Sequence, residues 1–575
     1  MVVTVARVLP NVTGLDKQFD YFVPDEMRES VRVGSQVRVE LHGRRIAGWV
    51  MALDPADALD HGELKPIAKI TGHGPSPELV ELAGWASDRW AARRRHFLVA
   101  ASAHRAVAGL PIVRRTSPTI EPRSPASRAI LLDGGGVLRL PPAIDPMPAL
   151  LSAVSIGPTL AIVPAVDQAM LLAARLRRSG LSVALMPNDW AAAAGGVDVV
   201  IGARAAAWAP CPELGAAVVI DEHDEALQEE GSPTWHARDV MIERCRRAGA
   251  PLLLISPAPT LTALEWGPLT RPPHERERAG WPIVDVIDRS DEEPWKRSLV
   301  SSELIRHLRD PERTVVCISN TTGRARLLAC RQCRELTRCE RCDAAVVLDD
   351  AGQLACLRCD TTRPQVCLVC GAGRFANLRP GVTRLREELE AAANRPAVLI
   401  TGSGPGRPPA SGVYVGTEAT LHRVDRADTV AFLDFDREVL APRYRAGEQA
   451  MALLVRAARL VGPRSRGGRI LVQTFVPDHE VIQAALLADP GRMIDGERRR
   501  RQMLSLPPFG AYAEISGAGS DEFVASVPHA DGVAIVGGDR EYVASGGDWM
   551  TLGRALNAGV RPAGARLRIA VDPQR

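Results

Sequence analysis

Eight of the eleven cysteines lie within residues 330–370, in four Cys-x2-Cys pairs. Four thiolates complete one tetrahedral zinc shell, so four pairs supply ligands for two zinc ions and leave no open coordination position. The two central pairs are separated by residues 343–355, which predict a strand, an Asp-Ala-Gly turn and a second strand, as in a zinc-ribbon hairpin. The predicted metal ligands are Cys330, Cys333, Cys339, Cys342, Cys356, Cys359, Cys367 and Cys370.

Two other roles fit a dense cysteine cluster, disulfide bonding and iron–sulfur ligation. Disulfides require an oxidising compartment, and the opening MVVTVARVLP lacks the pattern of a signal peptide. Iron–sulfur clusters usually show other spacings. We therefore predict structural zinc as the cofactor, with two ions in each chain.

The composition is that of a large globular protein. A chain of 575 residues predicts several domains, and 46% hydrophobic residues are ample for packed cores. The net charge of +3 is too small to indicate nucleic-acid binding, so any DNA contact has to come from local patches. The longest uncharged run, residues 146–166, is interrupted by Gly157, Pro158 and Pro164, so we expect no membrane partner and a cytoplasmic location.

Alternating apolar and helical segments predict an α/β multidomain fold with two parallel-sheet lobes. The first hundred residues are rich in β-like segments, and the last 75 suggest a small α+β unit. The predicted domains are a β-rich N-terminal domain, 1–105; a linker or eroded small domain, 106–145; a first lobe, 146–295; a second lobe, 296–500, containing the cysteine region 328–372; and a C-terminal α+β domain, 501–575.

Several short motifs follow one another in an order that identifies a family. They are Phe19-Asp-Tyr21, Asp221-Glu-His-Asp224, Trp235-His-Ala-Arg-Asp239, the eight cysteines, Asp434-Phe-Asp436, Arg443-Tyr-Arg-Ala-x-Glu448, Leu506-Pro-Pro-Phe509 and Val571-Asp-Pro573. In this order the chain resembles, almost end to end, the PriA family of bacterial replication-restart proteins, also called primosomal protein N′. The resemblance implies two RecA-like helicase-type lobes, here degenerate, and an N-terminal domain that binds DNA 3′ ends.

The resemblance also implies how the cysteines pair and what precedes the first lobe. Cys330, Cys333, Cys367 and Cys370 form one site, which encloses a second site formed by Cys339, Cys342, Cys356 and Cys359. Relatives have a winged-helix domain before the first lobe, but residues 106–145 are too few for that domain and a phosphate-binding strand. We therefore expect an eroded winged-helix region or a linker there.

The implied DNA contacts lie near the start of the chain. Phe19, Asp20 and Tyr21 are the expected pocket for the 3′ end of a nascent strand, because aromatic rings stack on bases and a carboxylate accepts from a terminal hydroxyl. Arg38 is a candidate phosphate contact. The residues of the aromatic motif alone fit equally well a strand with two core aromatics, and a solvated charged face is the more common role of an arginine such as Arg38.

Members of this family are ATP-driven helicases, and such motors need a P-loop whose lysine reaches the phosphates. None of the four lysines precedes Ser or Thr, and none lies between Lys69 and Lys296. Residues 131–142 keep glycines but lack the Gly-Lys-Ser/Thr ending. We therefore predict that the chain is not an enzyme and that ATP is not a cofactor. The remnants of the nucleotide site are Asp221, Glu222, His223 and Asp224.

The predicted function is replication restart without ATPase or helicase activity, through recognition of abandoned forks, scaffolding of the primosome and reloading of the replicative helicase. The expected partners are forked or single-stranded DNA, other primosome proteins, the replicative helicase and single-strand-binding protein, at the nucleoid. Two alternatives stay open: an active ATP-dependent 3′–5′ DNA helicase with an unconventional nucleotide site, and a zinc-stabilised protein-interaction scaffold.

Overall fold

The computed structural model describes residues 4–58, 64–116, 123–290, 299–319, 328–349, 352–377, 382–400 and 411–574. The N-terminal domain contains β1 Val5–Pro10, β2 Phe19–Phe22, β3 Gln36–Leu41, β4 Arg44–Leu53, β5 Lys69–Gly72, α1 Pro77–Arg89 and α2 Arg94–Ala101. Its antiparallel strands are ordered β2-β1-β4-β3-β5. The backbone of Phe22 also bonds Lys65 and Ile67, at 3.0 Å each, so the two ends of the sheet approach and form a small barrel.

The first lobe is a parallel sheet covered by helices. It contains α3 Pro125–Leu132, β6 Gly135–Arg139, α4 Met147–Val154, β7 Thr159–Ile162, α5 Val166–Arg178, β8 Val183–Leu185, α6 Trp190–Gly195, β9 Val199–Gly202, β10 Ala216–Ile220, α7 Ala237–Ala248, β11 Leu252–Ser256, α8 Leu261–Trp266, β12 Leu269–Thr270 and α9 His274–Ala279. The strand order is β12-β6-β11-β10-β7-β9-β8. Every residue of β7, β9, β10 and β11 is buried, which explains why these strands are continuous apolar runs.

The second lobe is also a parallel sheet, interrupted by the cysteine region. It begins with β13 Ile283–Asp288, α10 Ser302–Leu308 and β14 Val315–Ile318. The insertion adds β15 Leu328–Cys330, β16 Val346–Leu348, β17 Gln353–Cys356, β18 Thr362–Pro364 and β19 Phe375–Asn377. The lobe resumes with α11 Val382–Ala393, β20 Ala397–Ile400, β21 Val413–Gly416, β22 Thr429–Phe432, α12 Asp436–Val439, α13 Ala446–Val461, β23 Arg469–Thr474, α14 Glu480–Leu486 and α15 Ile494–Met503. Its strand order is β13-β23-β22-β14-β21-β20.

The structure moves two of the predicted domain boundaries. Strand β6 lies inside the first-lobe sheet, between β12 and β11, although residues 106–145 were expected to be a linker. Strand β13 pairs with β23 of the second lobe, although the first lobe was expected to continue to residue 295. Both strands are short, and the sheet that each one joins depends on contacts far away along the chain.

The C-terminal domain is a four-stranded antiparallel sheet with two helices, and it packs on the other domains. It contains β24 Ala511–Ser516, α16 Ser520–Ser526, β25 Val533–Gly538, β26 Glu541–Gly546, α17 Trp549–Ala558 and β27 Arg568–Val571, with strand order β25-β26-β24-β27. One hydrophobic cluster joins it to α1, α2 and the first lobe. Rings of Phe97 and Trp208, 5.2 Å apart, link the N-terminal domain to that lobe. Among the described helices, none combines the length and apolar character needed to cross a membrane.

Candidate functional site

The eight cysteines form two separate clusters of four. Within each cluster all sulfur atoms lie within 4.8 Å of one another, and the grouping is the nested one implied by the resemblance. Closest sulfur pairs are 3.5 Å apart in both clusters. Four sulfurs bound tetrahedrally at about 2.3 Å from a zinc ion stand about 3.8 Å apart, so both clusters fit such an ion.

Local structure explains how the clusters are built. Strands β16 and β17 pair so that Val346 faces Cys356, and this hairpin brings the two central cysteine pairs together. The backbone N–H of Gln332 donates to Cys330 Sγ, and that of Arg341 donates to Cys339 Sγ, each at 3.4 Å. Donors aimed at sulfur stabilise thiolates, which are the form that binds metal. The residues therefore suit structural metal sites with closed ligand shells.

The N-terminal site centres on an ion pair across two strands. The register of β1 and β2 places Arg7 opposite Asp20. The guanidinium donates to both carboxylate oxygens, with Nε–Oδ1 at 2.8 Å and Nη2–Oδ2 at 3.0 Å, and its third nitrogen binds Asp57. The Asp20 side chain is only 6% exposed, so the pair holds its carboxylate in one orientation. Sequence reasoning missed Arg7, because the eight-residue loop between the strands leaves their register open.

The two aromatic residues of this motif differ in exposure. Tyr21 is 3% exposed, packs in the barrel core and donates its hydroxyl to the carbonyl of Glu40 at 3.2 Å. It is therefore not available to stack on a base, which corrects the expectation for that residue. Phe19 is partly buried, and the ammonium of Lys17 lies 5.5 Å from its ring centroid. Arg38 is exposed on β3.

The acidic signature of the first lobe lies at the interface with the second lobe. Asp221 follows directly after β10, and its carboxylate accepts two hydrogen bonds from Arg459 of α13, one of them at 2.7 Å. Asp224 accepts from Arg456 Nη2, also at 2.7 Å, one helical turn away along α13. Two aspartates of one lobe thus pair with two arginines of the other. These contacts hold the carboxyl end of β10 against α13.

Glu222 and His223 are turned into the first lobe. Glu222 is fully buried, accepts from the backbone N–H of Thr260 at 2.7 Å and contacts Arg238 Nη1 at 3.2 Å. Burial raises its pKa above the ordinary range. His223 Nδ1 lies 2.9 Å from Ser256 Oγ, and burial lowers the imidazole pKa to about 4, so the ring is neutral at pH 7.

The loop between β6 and α4 stands where a strand–loop–helix phosphate site would lie. It contains Pro141, Pro142 and Pro146, and the carboxylate of Asp145 accepts from the first N–H of the helix at 3.0 Å. Arg139, at the end of β6, is 3% exposed and held by two carboxylates. Beside the acidic signature, a cleft of about 880 Å³ opens between the lobes, lined in part by Arg204, Trp235, His422, Arg443 and Arg456.

Comparison with known proteins relates this chain to one group of proteins. Residues 7–102 match the family model described as the 3′ DNA-binding domain of PriA. The chain is 29% identical over 567 residues to a probable replication restart protein PriA of Mycobacterium tuberculosis H37Rv, covering 88% of this chain and 85% of that protein. Both findings support membership of the PriA family. Replication restart protein PriA of Bacillus subtilis is 26% identical over 351 residues, which cover 56% of this chain and less than half, 43%, of that protein.

Solved structures align more loosely. Dbp5 of Saccharomyces cerevisiae, bound to RNA and ADP BeF3, aligns with a TM-score of 0.36 and 11% identity, covering 75% of this chain and 98% of Dbp5. The Escherichia coli DEAH/RHA helicase HrpB aligns with a TM-score of 0.30 and 12% identity, covering 61% and 41%. Scores this low carry no argument about the function of this chain.

The comparisons correct one prediction. The expectation that the chain is not an enzyme is wrong, because its relatives are PriA proteins, the family of ATP-dependent helicases that the resemblance identified. The missing Gly-Lys-Ser/Thr ending is a fact of the sequence, and it does not establish a loss of activity.

Proposed function

We propose that this protein promotes replication restart by binding the DNA of abandoned forks, with its N-terminal domain at the 3′ end of the nascent strand. The match of residues 7–102 to a 3′ DNA-binding domain carries the proposal. The geometry of Arg7 and Asp20 supports it, since a carboxylate held from one side by an arginine can accept from a terminal 3′-hydroxyl on the other. Phe19, partly exposed on the same strand, is suited to stack on the terminal base.

Fork binding tests this proposal. We expect the wild-type protein to bind a fork with a 3′-hydroxyl at the junction more tightly than plain duplex or the same fork ending in a 3′-phosphate. Asp20→Asn removes a charge-assisted acceptor, worth about 1.5–3 kcal/mol, and should weaken fork binding by about 10- to 100-fold. Asp57→Asn is the matched control, because Asp57 binds the same arginine but is 78% exposed. Equal affinity for fork and duplex, measured by fluorescence anisotropy, would contradict the proposal.

The two cysteine clusters hold zinc in this proposal. Four thiolates without an oxygen or nitrogen ligand suit zinc or iron, and a closed tetrahedral shell suits structural zinc. The zinc ions supply folding energy to the inserted region, and its side chains then present a surface. Metal analysis of the purified protein should give two zinc ions per chain. Visible absorption with iron present would contradict this assignment.

The zinc region also supports the contact with partner proteins that primosome assembly and reloading of the replicative helicase require. Leu357, Leu368 and Val369 lie inside the cysteine pairs and are 57%, 65% and 68% exposed. Contiguous exposed apolar side chains are typical of protein-binding surfaces, and Leu368 and Val369 are adjacent in the sequence. A Leu368→Asp variant should keep its metal and its fork affinity but lose binding to primosome proteins in a pull-down with purified components. Unchanged binding would remove this surface from the proposal.

A second candidate function is ATP-dependent DNA unwinding through an unconventional nucleotide site. It is favoured by the cleft between the lobes and by the arginines of α13 that reach the first-lobe acids. Phosphate release by the purified protein, measured with and without forked DNA, tests it. We expect DNA-stimulated release that Asp221→Asn abolishes, whereas Asp167→Asn, an exposed acid on α5, leaves it unchanged. Release that both variants retain would point to a contaminating enzyme.

A further inference from the structure

The segment that follows β27 lies where three domains meet. Residues 572–574 leave the C-terminal sheet and bond to both lobes. Asp572 has a left-handed backbone conformation, with φ of 53°, and its side chain is 4% exposed. A buried carboxylate is tolerated only when it is paired and hydrogen-bonded. The side chain and the main chain of this segment have partners in both lobes and in the N-terminal domain.

The second lobe supplies the closest partners. Arg445 Nη2 lies 2.6 Å from Asp572 Oδ1, and the hydroxyl of Tyr444 donates to the same oxygen. Both residues stand immediately before α13, the helix whose arginines hold the first-lobe aspartates. Burial raises the pKa of Tyr444 above its ordinary range, so the phenol keeps the proton that it donates. Asp572 therefore anchors the start of α13.

The first lobe binds the same segment through main-chain atoms. Gln228 Nε2 donates to the carbonyl of Asp572, and Thr234 Oγ1 donates to the carbonyl of Val571, both at 2.5 Å. The side-chain amide of Gln574 donates to the carbonyl of Glu225. These partners belong to residues 225–234, the loop directly beyond the acidic signature.

Arg89 connects the N-terminal domain to the junction. It is the last residue of α1, and its side chain is 7% exposed. Its Nη2 lies 3.2 Å from Asp239 Oδ2 and 4.0 Å from Asp572 Oδ2. The guanidinium carbon also lies 3.9 Å from the ring centroid of Trp549 in the C-terminal domain. One arginine of the DNA-binding domain thus faces carboxylates of two other domains.

The contacts continue from Arg89 to the acidic signature. Asp239 accepts from Arg238 Nε at 2.9 Å, and Arg238 Nη1 contacts Glu222 at 3.2 Å. A continuous series of buried charges therefore runs from α1 to the residue beside Asp221. Moving one domain relative to another separates opposite charges in a site with little water, which is costly.

We propose that Asp572 is a positioning residue that couples the N-terminal DNA-binding domain to the arrangement of the two lobes. Its carboxylate draws Arg89 and Arg445 to one point, while the adjoining backbone holds the loop 225–234 of the first lobe. The contacts of Asp572 with Arg89, Arg445 and the loop 225–234 form the junction, and only its coupling to DNA binding rests on the proposed function.

Hydrogen exchange of the full chain without DNA tests the junction. In Asp572→Asn, amides of residues 225–234 and 444–449 should exchange at least about tenfold faster, because the buried arginines lose their anion. Asparagine tolerates the left-handed backbone at this position. Asp531→Asn, an exposed acid of the same domain, should leave exchange unchanged. Unaltered exchange in Asp572→Asn, or an equal increase in all domains including the zinc hairpin, would overturn the proposal.

A milder variant covers the case in which Asp572→Asn does not fold. Gln574→Ala removes one side-chain hydrogen bond to the first lobe and leaves no buried charge behind. It should raise exchange of residues 225–234 by about two- to fivefold, with the N-terminal barrel unchanged. Exchange equal to the wild type in a folded Gln574→Ala protein would also overturn the proposal.

Forked DNA supplies the second measurement. In the wild type, DNA carrying a 3′ end should change the exchange of residues 225–234 and 444–449. Asp572→Asn should keep its fork affinity within about threefold but lose this change in exchange. An undiminished change in the variant would overturn the coupling. Failure of the wild type to bind the fork would instead contradict the proposed function, and the DNA-free result would still stand.

Discussion

The buried pair between Arg139 and Glu277 gives a quantitative test of the structure. Arg139 is the last residue of β6 in the first lobe, and its Nη2 lies 2.5 Å from Glu277 Oε2 of α9. Both side chains are at most 3% exposed, and Glu277 Oε1 has no hydrogen-bond partner among the described residues. The second partner, Asp489, is 25% exposed and can regain water. Replacing the arginine by methionine therefore leaves one buried, uncompensated carboxylate.

The expected cost follows from that geometry. Removing one member of a buried ion pair lowers the free energy of unfolding by about 3–5 kcal/mol, and Arg139→Met should fall in this range at pH 7. Burial raises the pKa of Glu277 above its ordinary value of 4.5, although Arg139 opposes the shift. Because the folded pKa is raised, this contribution to stability is present below pH 4.5 and is lost as pH rises through the folded value. Loss of Arg139 raises the pKa of Glu277 further, so the carboxyl group is protonated at higher pH in the variant. The loss of unfolding free energy caused by Arg139→Met should therefore become smaller as pH falls from 7 toward 5.

Urea unfolding, followed by circular dichroism and tryptophan fluorescence together, measures the effect. Arg276→Met is the matched control, because Arg276 is an exposed arginine of the same helix. The double variant Arg139→Met with Glu277→Gln should recover part of the loss, since it removes the buried charge. The reasoning is refuted if Arg139→Met is as stable as the control at pH 7, or if its deficit does not depend on pH.

Three further results are expected. Cys356→Ala should lower the metal content to about one ion per chain, whereas Cys317→Ala, a buried cysteine outside the clusters, should leave two; equal metal content in both would contradict the paired sites. Gly34→Ala should destabilise the N-terminal domain far more than Gly43→Ala in thermal unfolding, because both glycines have positive φ but only at Gly34 would a Cβ lie 1.7 Å from a backbone oxygen. Glu222→Gln should flatten the pH dependence of stability above pH 4.5, because burial raises the pKa of Glu222 and the stability that its protonated form contributes is lost as pH rises. The free energy of unfolding measured across this pH range tests the prediction, and a pH dependence equal to that of the wild type would contradict it.

The two cysteine clusters were predictable because the pattern that forms them is local in the sequence. Two cysteines separated by two residues can bind one ion, and the short hairpin between Cys342 and Cys356 is formed by pairing of adjacent strands. The nested grouping came from the resemblance, and the structure confirms both clusters. The two parallel-sheet lobes were also predictable, because strands that are buried on both faces consist of consecutive apolar residues.

Other features depended on contacts that no local pattern specifies. Strand β6 is five residues long, and it belongs to the first lobe because it pairs with β11 and β12, which lie more than 100 residues away in the sequence. The partner of Asp20 depends on the register of β1 and β2, and the exposure of Tyr21 depends on closure of the barrel. The activity prediction failed for a related reason, because one missing motif was taken as a statement about the whole protein.

By itself, the sequence determined the grouping of the eight cysteines into four pairs, the alternation of strands and helices, and the resemblance to the PriA family. Only the tertiary structure decided that residues 350 positions apart, such as Arg139 and Asp489, share one ion-pair network. It likewise decided that Asp572 meets three domains. The physical reason is that burial and charge pairing depend on the folded tertiary structure, whereas periodicity and ligand spacing are properties of the local sequence.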